Sequence, residues 1–133
     1  MIGTYEVRVR NNRVVFDFTI KRNITVVRGN SGTGKTTLYE MIAAFTRLGM
    51  NSGVQITSQK QCVSLVDLDW QNQLDHLNDC IVFIDEGSEY ISTYEFAQKI
   101  KNSTNYYVIF TRENLDQLPY SIDEIYEIKT SGK

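Results

Sequence analysis

The chain has 133 residues, of which 41% are hydrophobic, 11% aromatic and 23% charged, with a formal net charge of −2. Such a chain fits one globular domain spanning residues 1–133, and its one proline and two cysteines exclude collagen-like repeats, Pro-rich linkers and a disulfide-stapled scaffold. The slight acidity argues against general nucleic-acid affinity, and no run nears the roughly 20 apolar residues of a membrane helix. The opening MIGTYEVRVR has no apolar signal core, so a cytoplasmic protein without a membrane span is expected. Charge is nonetheless uneven: residues 1–35 carry a net +5 and the remainder −7. A basic N-terminal face has two readings, a solvated strand face or a surface for phosphate or an acidic partner.

In chain order, Thr4–Arg10 alternates Tyr5, Val7 and Val9 with polar residues, the period of a half-buried strand. Asn11-Asn12 suits a tight hairpin turn, because asparagine tolerates the left-handed conformation. Val14–Ile20 returns with Val14, Phe16, Phe18 and Ile20 on one face, and the β-branched run Ile24–Val27 reads as a buried central strand. A glycine-rich turn follows. Leu38, Met41, Ile42, Phe45 and Leu48 then recur at helical spacing, with Gly49 as the stop.

Residues 54–58 and 61–66 read as strands, and Asp69 as the cap of a short helix with Trp70, Leu74 and Leu77 on one face. His76 falls off that face and reads as solvated. Ile81–Ile84 is a second buried strand; Ser92-Thr93-Tyr94-Glu95 is a capping box, stapled by Ile91 and Phe96, for a helix running to about Ile100. Tyr106–Phe110 is a third buried strand, and Ile122–Ile128 an edge strand. Strands alternating with helices predict a three-layer α/β fold with a mostly parallel sheet, flanked by the N-terminal antiparallel hairpin. Cys62 and Cys80, outside any CxxC or Cys/His cluster, read as two reduced buried thiols.

The most informative segment is Gly29-Asn30-Ser31-Gly32-Thr33-Gly34-Lys35-Thr36, which fits G-x-x-x-x-G-K-[ST] at every defined position. It falls between a predicted buried strand and a predicted amphipathic helix. Glycines let successive N–H groups converge on phosphate oxygens, and the helix directs its positive end at the same anion. Lys35 adds a charge for the β- and γ-phosphates, the Thr36 hydroxyl is of the type that ligates Mg²⁺, and Thr37 is placed for the α-phosphate.

These residues resemble the Walker A motif of the P-loop NTPase superfamily, and Ile81-Val82-Phe83-Ile84-Asp85-Glu86 resembles its Walker B strand. The resemblance implies a three-layer P-loop NTPase fold, ATP and Mg²⁺ as ligands, Asp85 in the metal shell and Glu86 polarising the attacking water. A solvated acid opening a loop is the other reading of Glu86. Thr111-Arg112-Glu113 resembles the sensor position of additional-strand P-loop ATPases, which implies a γ-phosphate or water contact for Thr111. For Arg112 two readings stand: stabilising transferred charge, or a surface ion pair with Glu86, Glu113 or Asp116.

The segment FDFTIKRNITVVRGNSGTGKTTL is similar to the start of ATP-binding-cassette and related AAA-like ATPases, which have an antiparallel subdomain before the Walker A strand. No LSGGQ-like signature follows, and the Walker A to Walker B spacing is too short for the usual helical subdomain. The later stretches FIDEGSEYISTYEFAQKI and YYVIFTRENLDQLP are similar to small ATP-binding proteins of bacterial mobile elements and phages. Guanine-reading NKxD and DxxG elements are absent, so ATP is the expected nucleotide. Tyr5, Phe16 and Phe18 read as core aromatics or as adenine-stacking platforms.

Two functions are therefore weighed first: a minimal, slow Mg²⁺-dependent ATPase, and an ATP-binding regulatory module with little turnover of its own. A small-molecule kinase ranks third, because no Arg-rich lid segment is present. A chain this short leaves much of a bound nucleotide exposed, which implies a protein partner or a second copy to complete the site.

Overall fold

The computed structural model describes residues 4–21, 23–28, 35–65, 68–85, 90, 93–111 and 125–129; for 28, 35, 36, 111 and 125–129 the description is of the backbone. Its elements are β1 (Tyr5–Arg10), β2 (Val15–Ile20), β3 (Ile24–Arg28), α1 (Lys35–Leu48), a 3-10 turn (Gly49–Ser52), β4 (Gln55–Thr57), β5 (Cys62–Ser64), α2 (Trp70–Asp75), β6 (Ile81–Ile84), α3 (Tyr94–Lys101), β7 (Tyr106–Thr111) and β8 (Ile125–Lys129). They form two sheets. One is antiparallel, in the order β2-β1-β4. The other, in the order β5-β6-β7-β3-β8, is parallel at every pairing.

The mixed α/β reading with a largely parallel sheet therefore holds, but the hairpin sits elsewhere than expected. Both edges of the parallel sheet are taken, by β5 and β8. The hairpin instead recruits β4 into a sheet of its own and turns an apolar face inward. Val7, Val9 and Ile20 are buried there, with Tyr5, Val14, Phe16 and Phe18 packed around them. A two-stranded hairpin is marginal in water, so a third strand and a covered face are what make this one stable. Its turn also differs from the expected tight one. Four residues separate Arg10 from its partner Val15, and the Asn11 side chain accepts from the N–H groups of Arg13 (2.8 Å) and Val14 (2.9 Å). Asn11 thus works through its side chain, with no left-handed backbone.

The parallel sheet is covered on both faces. On one side Val27, Phe83, Val108 and Phe110 pack with the antiparallel sheet and with Leu38, Met41 and Ile42 of α1. On the other, Val26, Val82, Ile84, Tyr107 and Ile109 pack with Leu74 of α2 and Phe96 and Ile100 of α3. Chain direction accounts for this division. The β3–α1–β5 crossover runs one way along the sheet, and the α2 and α3 crossovers run back. Crossovers of one hand must then lie on opposite faces.

Helix α1 is anchored by more than its apolar stripe. The Thr46 hydroxyl donates to the Ile42 carbonyl at 2.8 Å and accepts from the Ser64 N–H of β5 at 3.1 Å. Leu48, expected on the apolar face, is 51% exposed at the last turn, and Gly49 at φ +61° ends the helix.

Two predicted caps are corrected. Asp69 stands at the N-cap of α2 but is left-handed, and its carboxylate accepts from the Asn72 side chain (3.2 Å) instead of a backbone N–H. The N-cap of α3 is Thr93, one residue later than the box over Ser92 implies; Ile91 and Ser92 lie outside the described residues. The Thr93 hydroxyl accepts from Phe96 N–H (3.2 Å) and donates to the Tyr90 carbonyl (2.6 Å). Thr93→Ala is expected to cost about 1 kcal/mol, read as a lower urea midpoint at unchanged m.

Cys62 and Cys80 are free and buried, as expected. Burial pushes the Cys62 thiol up from 9.0 to about 11, and burial also raises Cys80 and the Tyr107 phenol. Below pH 9 the Cys62 thiol is neutral in both folded and unfolded chains, so its full contribution to stability is present. Between about pH 9 and 11 the unfolded chain ionises first, and stability falls. Cys62 accounts for a loss on the order of 2–3 kcal/mol across that window. Urea titrations at pH 8 and 10.5 should show the fall, and Cys62→Ala should reduce it.

Candidate functional site

In an open parallel sheet ligands bind beyond the carboxyl ends of the strands, where neighbouring connections depart in opposite directions. Here that point lies between β3 and β7. The chain leaves β3 toward β5, at one edge, and leaves β7 toward β8, beyond β3. The strand ends are nearly flush. Arg28, last in β3, pairs in register with Thr111, last in β7. Ile84, last in β6, pairs with Ile109, so Asp85 stands one residue further at the level of Phe110. One strand separates β6 from β3, which sets their backbones about 10 Å apart.

Helix α1 starts at this edge. Lys35 and Thr36 form its first turn, with Thr37 next and exposed, and no acidic residue lies in that turn. A cation at a helix N-terminus opposes the macrodipole, so this end is electrostatically suited to an anion and poorly suited to being left alone.

The positions of the predicted site residues are as follows. The loop residues Gly29, Asn30, Ser31, Gly32, Thr33 and Gly34 lie outside the described residues, as do Glu86 and Arg112. The backbones flanking the loop place its two ends on β3 and α1. Asp85 is half-buried and follows β6 directly. Thr111 ends β7 on the same edge. The elements thus bring Lys35, Thr36, Thr37, Asp85 and Thr111 to one end of the sheet.

Other candidates are resolved toward the core. Tyr5 meets Tyr106 edge-on at 5.1 Å, Phe18 meets Phe83 at 6.1 Å, and Phe16 packs in the same cluster. These rings serve packing. His76 is exposed, its Nδ1 2.8 Å from the Asn72 carbonyl. On the basic N-terminal face, Arg8 donates twice to the Asp17 carboxylate across the hairpin, at 2.8 and 3.1 Å, as an exposed pair. Among the described residues no His/Cys/Asp/Glu group could hold a metal by itself, and no helix is long and apolar enough to cross a membrane.

No protein-family model matches this chain, and no curated protein matches it. One feature was not legible beforehand: Tyr90, just beyond the Asp-Glu strand, stacks on Trp70 at 4.9 Å and 14° between planes. Helical spacing marked Trp70 as a core-facing residue, and no signal in the sequence paired it with Tyr90.

Proposed function

We propose that this chain is a minimal Mg²⁺-dependent ATPase with a three-layer P-loop NTPase fold, binding ATP and hydrolysing it slowly. The observation that carries the reading is the position of GNSGTGKT. It joins the end of a central parallel strand, β3, to an α1 N-terminus without acidic residues, on the edge that also bears Asp85 and Thr111. Support also comes from β7, the strand that ends in Thr111, which lies between the loop-bearing strand and the Asp-Glu strand.

In this reading the N–H groups of Gly29–Thr36 and the Lys35 ammonium hold the phosphates, and Thr37 reaches the α-phosphate. Thr36 and Asp85 would hold Mg²⁺, Asp85 through water; the ion supplies charge neutralisation at the phosphate oxygens. Glu86 takes a proton from water as the water oxygen bonds to the γ-phosphorus. The bond from that phosphorus to the β–γ bridging oxygen breaks, releasing ADP and phosphate. Thr111, last in β7, and Arg112, next in sequence, would contact the γ-phosphate. A protein partner or second copy would cover the nucleotide and speed the reaction.

The test is a calorimetric titration with Mg²⁺-ATP and a phosphate-release assay on the same sample. Binding with release supports an ATPase. Binding without release favours the second reading, an ATP-binding regulatory module. Absence of binding overturns both.

A further inference from the structure

We propose that the outer edge of β2 is a self-association surface, to which a second copy of this chain adds its own β2, antiparallel and related by a two-fold axis. The inference is independent of the nucleotide reading. The pairing of β2 with β1 decides which backbone groups it has to offer. Asn11 N–H donates to the Val14 carbonyl at 3.1 Å, and the hairpin continues in the same register, without a bulge, to Tyr5 and Ile20. Bonded pairs alternate along an antiparallel ladder, so Phe16, Phe18 and Ile20 exchange hydrogen bonds with β1. Val15, Asp17 and Thr19 therefore turn their N–H and C=O groups the other way, to an edge that no other described strand occupies.

Native sheets blunt such edges with short strands, charge, proline, bulges or a covering group. The other edges of this fold use those devices. β4 and β5 have three residues each, the Ser64 N–H of β5 donates to the Thr46 hydroxyl, and β8 includes Glu127 and Lys129. β2 has six residues with no lysine, proline or bulge, and its one charge, Asp17, is held by Arg8 of β1. Apolar surface also stays open along it: Val15 is 53% exposed, and Phe16 and Phe18 are only half-buried.

A second copy is the occupant that the pattern of the strand fits. Residues facing each other in an antiparallel pair lie on the same side of the sheet, so the two-fold axis must pass at a residue and not between two. Centred on Asp17, the pair would set two carboxylates directly opposite, which is unfavourable. Centred on Phe18, it sets Phe18 against Phe18 of the partner subunit at a non-bonded position, where side chains come closest. Asp17 then faces Thr19 of the partner subunit, and Phe16 faces Ile20 of the partner subunit. The outward N–H and C=O groups of Asp17 and Thr19 are satisfied on both chains. The two antiparallel sheets become one, in the order β4-β1-β2-β2-β1-β4.

The test is sedimentation equilibrium of the full chain without nucleotide, for parent, Thr19→Pro, Thr19→Asp and Thr19→Lys. Concentrations reach about 100 µM, because so short a contact makes a weak dimer. The parent is expected to show a monomer–dimer equilibrium. Thr19→Pro removes an outward N–H and spares the bonds to β1, so the dimer should be lost. Thr19→Asp sets a like charge opposite Asp17 of the partner subunit, twice per dimer, and should weaken association about tenfold. Thr19→Lys sets an opposite charge there and should hold or strengthen it. Emission of Trp70, the sole tryptophan, reports the folding of each variant; if Thr19→Pro does not fold, the charged variants decide. A parent that stays monomeric throughout overturns the proposal. So does a folded Thr19→Pro that dimerises like the parent, since the interface then lies elsewhere. Equal dimer affinity in Thr19→Asp and Thr19→Lys overturns the Phe18-centred pairing, and association through β2 with it.

Discussion

Lys35→Ala is expected to weaken Mg²⁺-ATP binding about 100-fold while leaving the ligand-free protein as stable as the parent, or slightly more so. The first effect is the loss of charge-assisted contacts to phosphate, each worth about 1.5–3 kcal/mol. The second has the opposite sign for a specific reason. Lys35 opens α1, where the positive end of the dipole disfavours an ammonium by about 0.3–1 kcal/mol. A lysine kept for the fold would lose stability on removal; one kept for an anion would not. Calorimetry with ATP and a ligand-free thermal melt separate the two. Unchanged ATP affinity would remove Lys35 from the site.

Glu86→Gln is expected to reduce phosphate release about 100-fold or more with ATP affinity held within a few-fold. Glutamine keeps the shape and hydrogen-bonding reach of the side chain but cannot take the proton of the attacking water. The parent and variant are compared in single-turnover phosphate release, with nucleotide affinity measured separately. If the variant turns over at the parent rate, Glu86 is the solvated acid of the alternative reading and the proton leaves by another route.

Periodicity was most informative where one residue's environment is set by its immediate neighbours. The alternation of Tyr5, Val7 and Val9, and the unbroken Ile81–Ile84 and Tyr106–Phe110 runs, each mark strands observed in the fold. The loop motif could be placed between strand and helix for the same reason. What could not be read depends on partners far along the chain. Residues 55–57 carry a strand signal, but nothing in QIT says that they pair with Val9 and its neighbours. Alternation in the hairpin shows that one face is buried and is silent on whether it borders the parallel sheet or covers it. The cap of α3 slipped by one residue because Ser92 and Thr93 are chemically equivalent candidates, and chain direction into the helix decides between them. Spacing singles out the candidate residue types of the loop motif, while the Trp70–Tyr90 stack joins two segments with no local relation.

The small antiparallel sheet takes two strands from before the loop motif and one, β4, from after α1. It is therefore no appended module that could be cut away at a linker. Its third strand reaches β1 only once the chain has passed through α1, so the sheet closes across the segment that carries the GNSGTGKT motif. Folding of the two layers is coupled by chain connectivity as well as by their shared apolar face. Opening the outer sheet strips the cover from Leu38, Met41 and Ile42, and releasing α1 withdraws the chain that holds β4 in register. Whatever steadies the start of α1 thus propagates to amide protection in strands on the far side of the core.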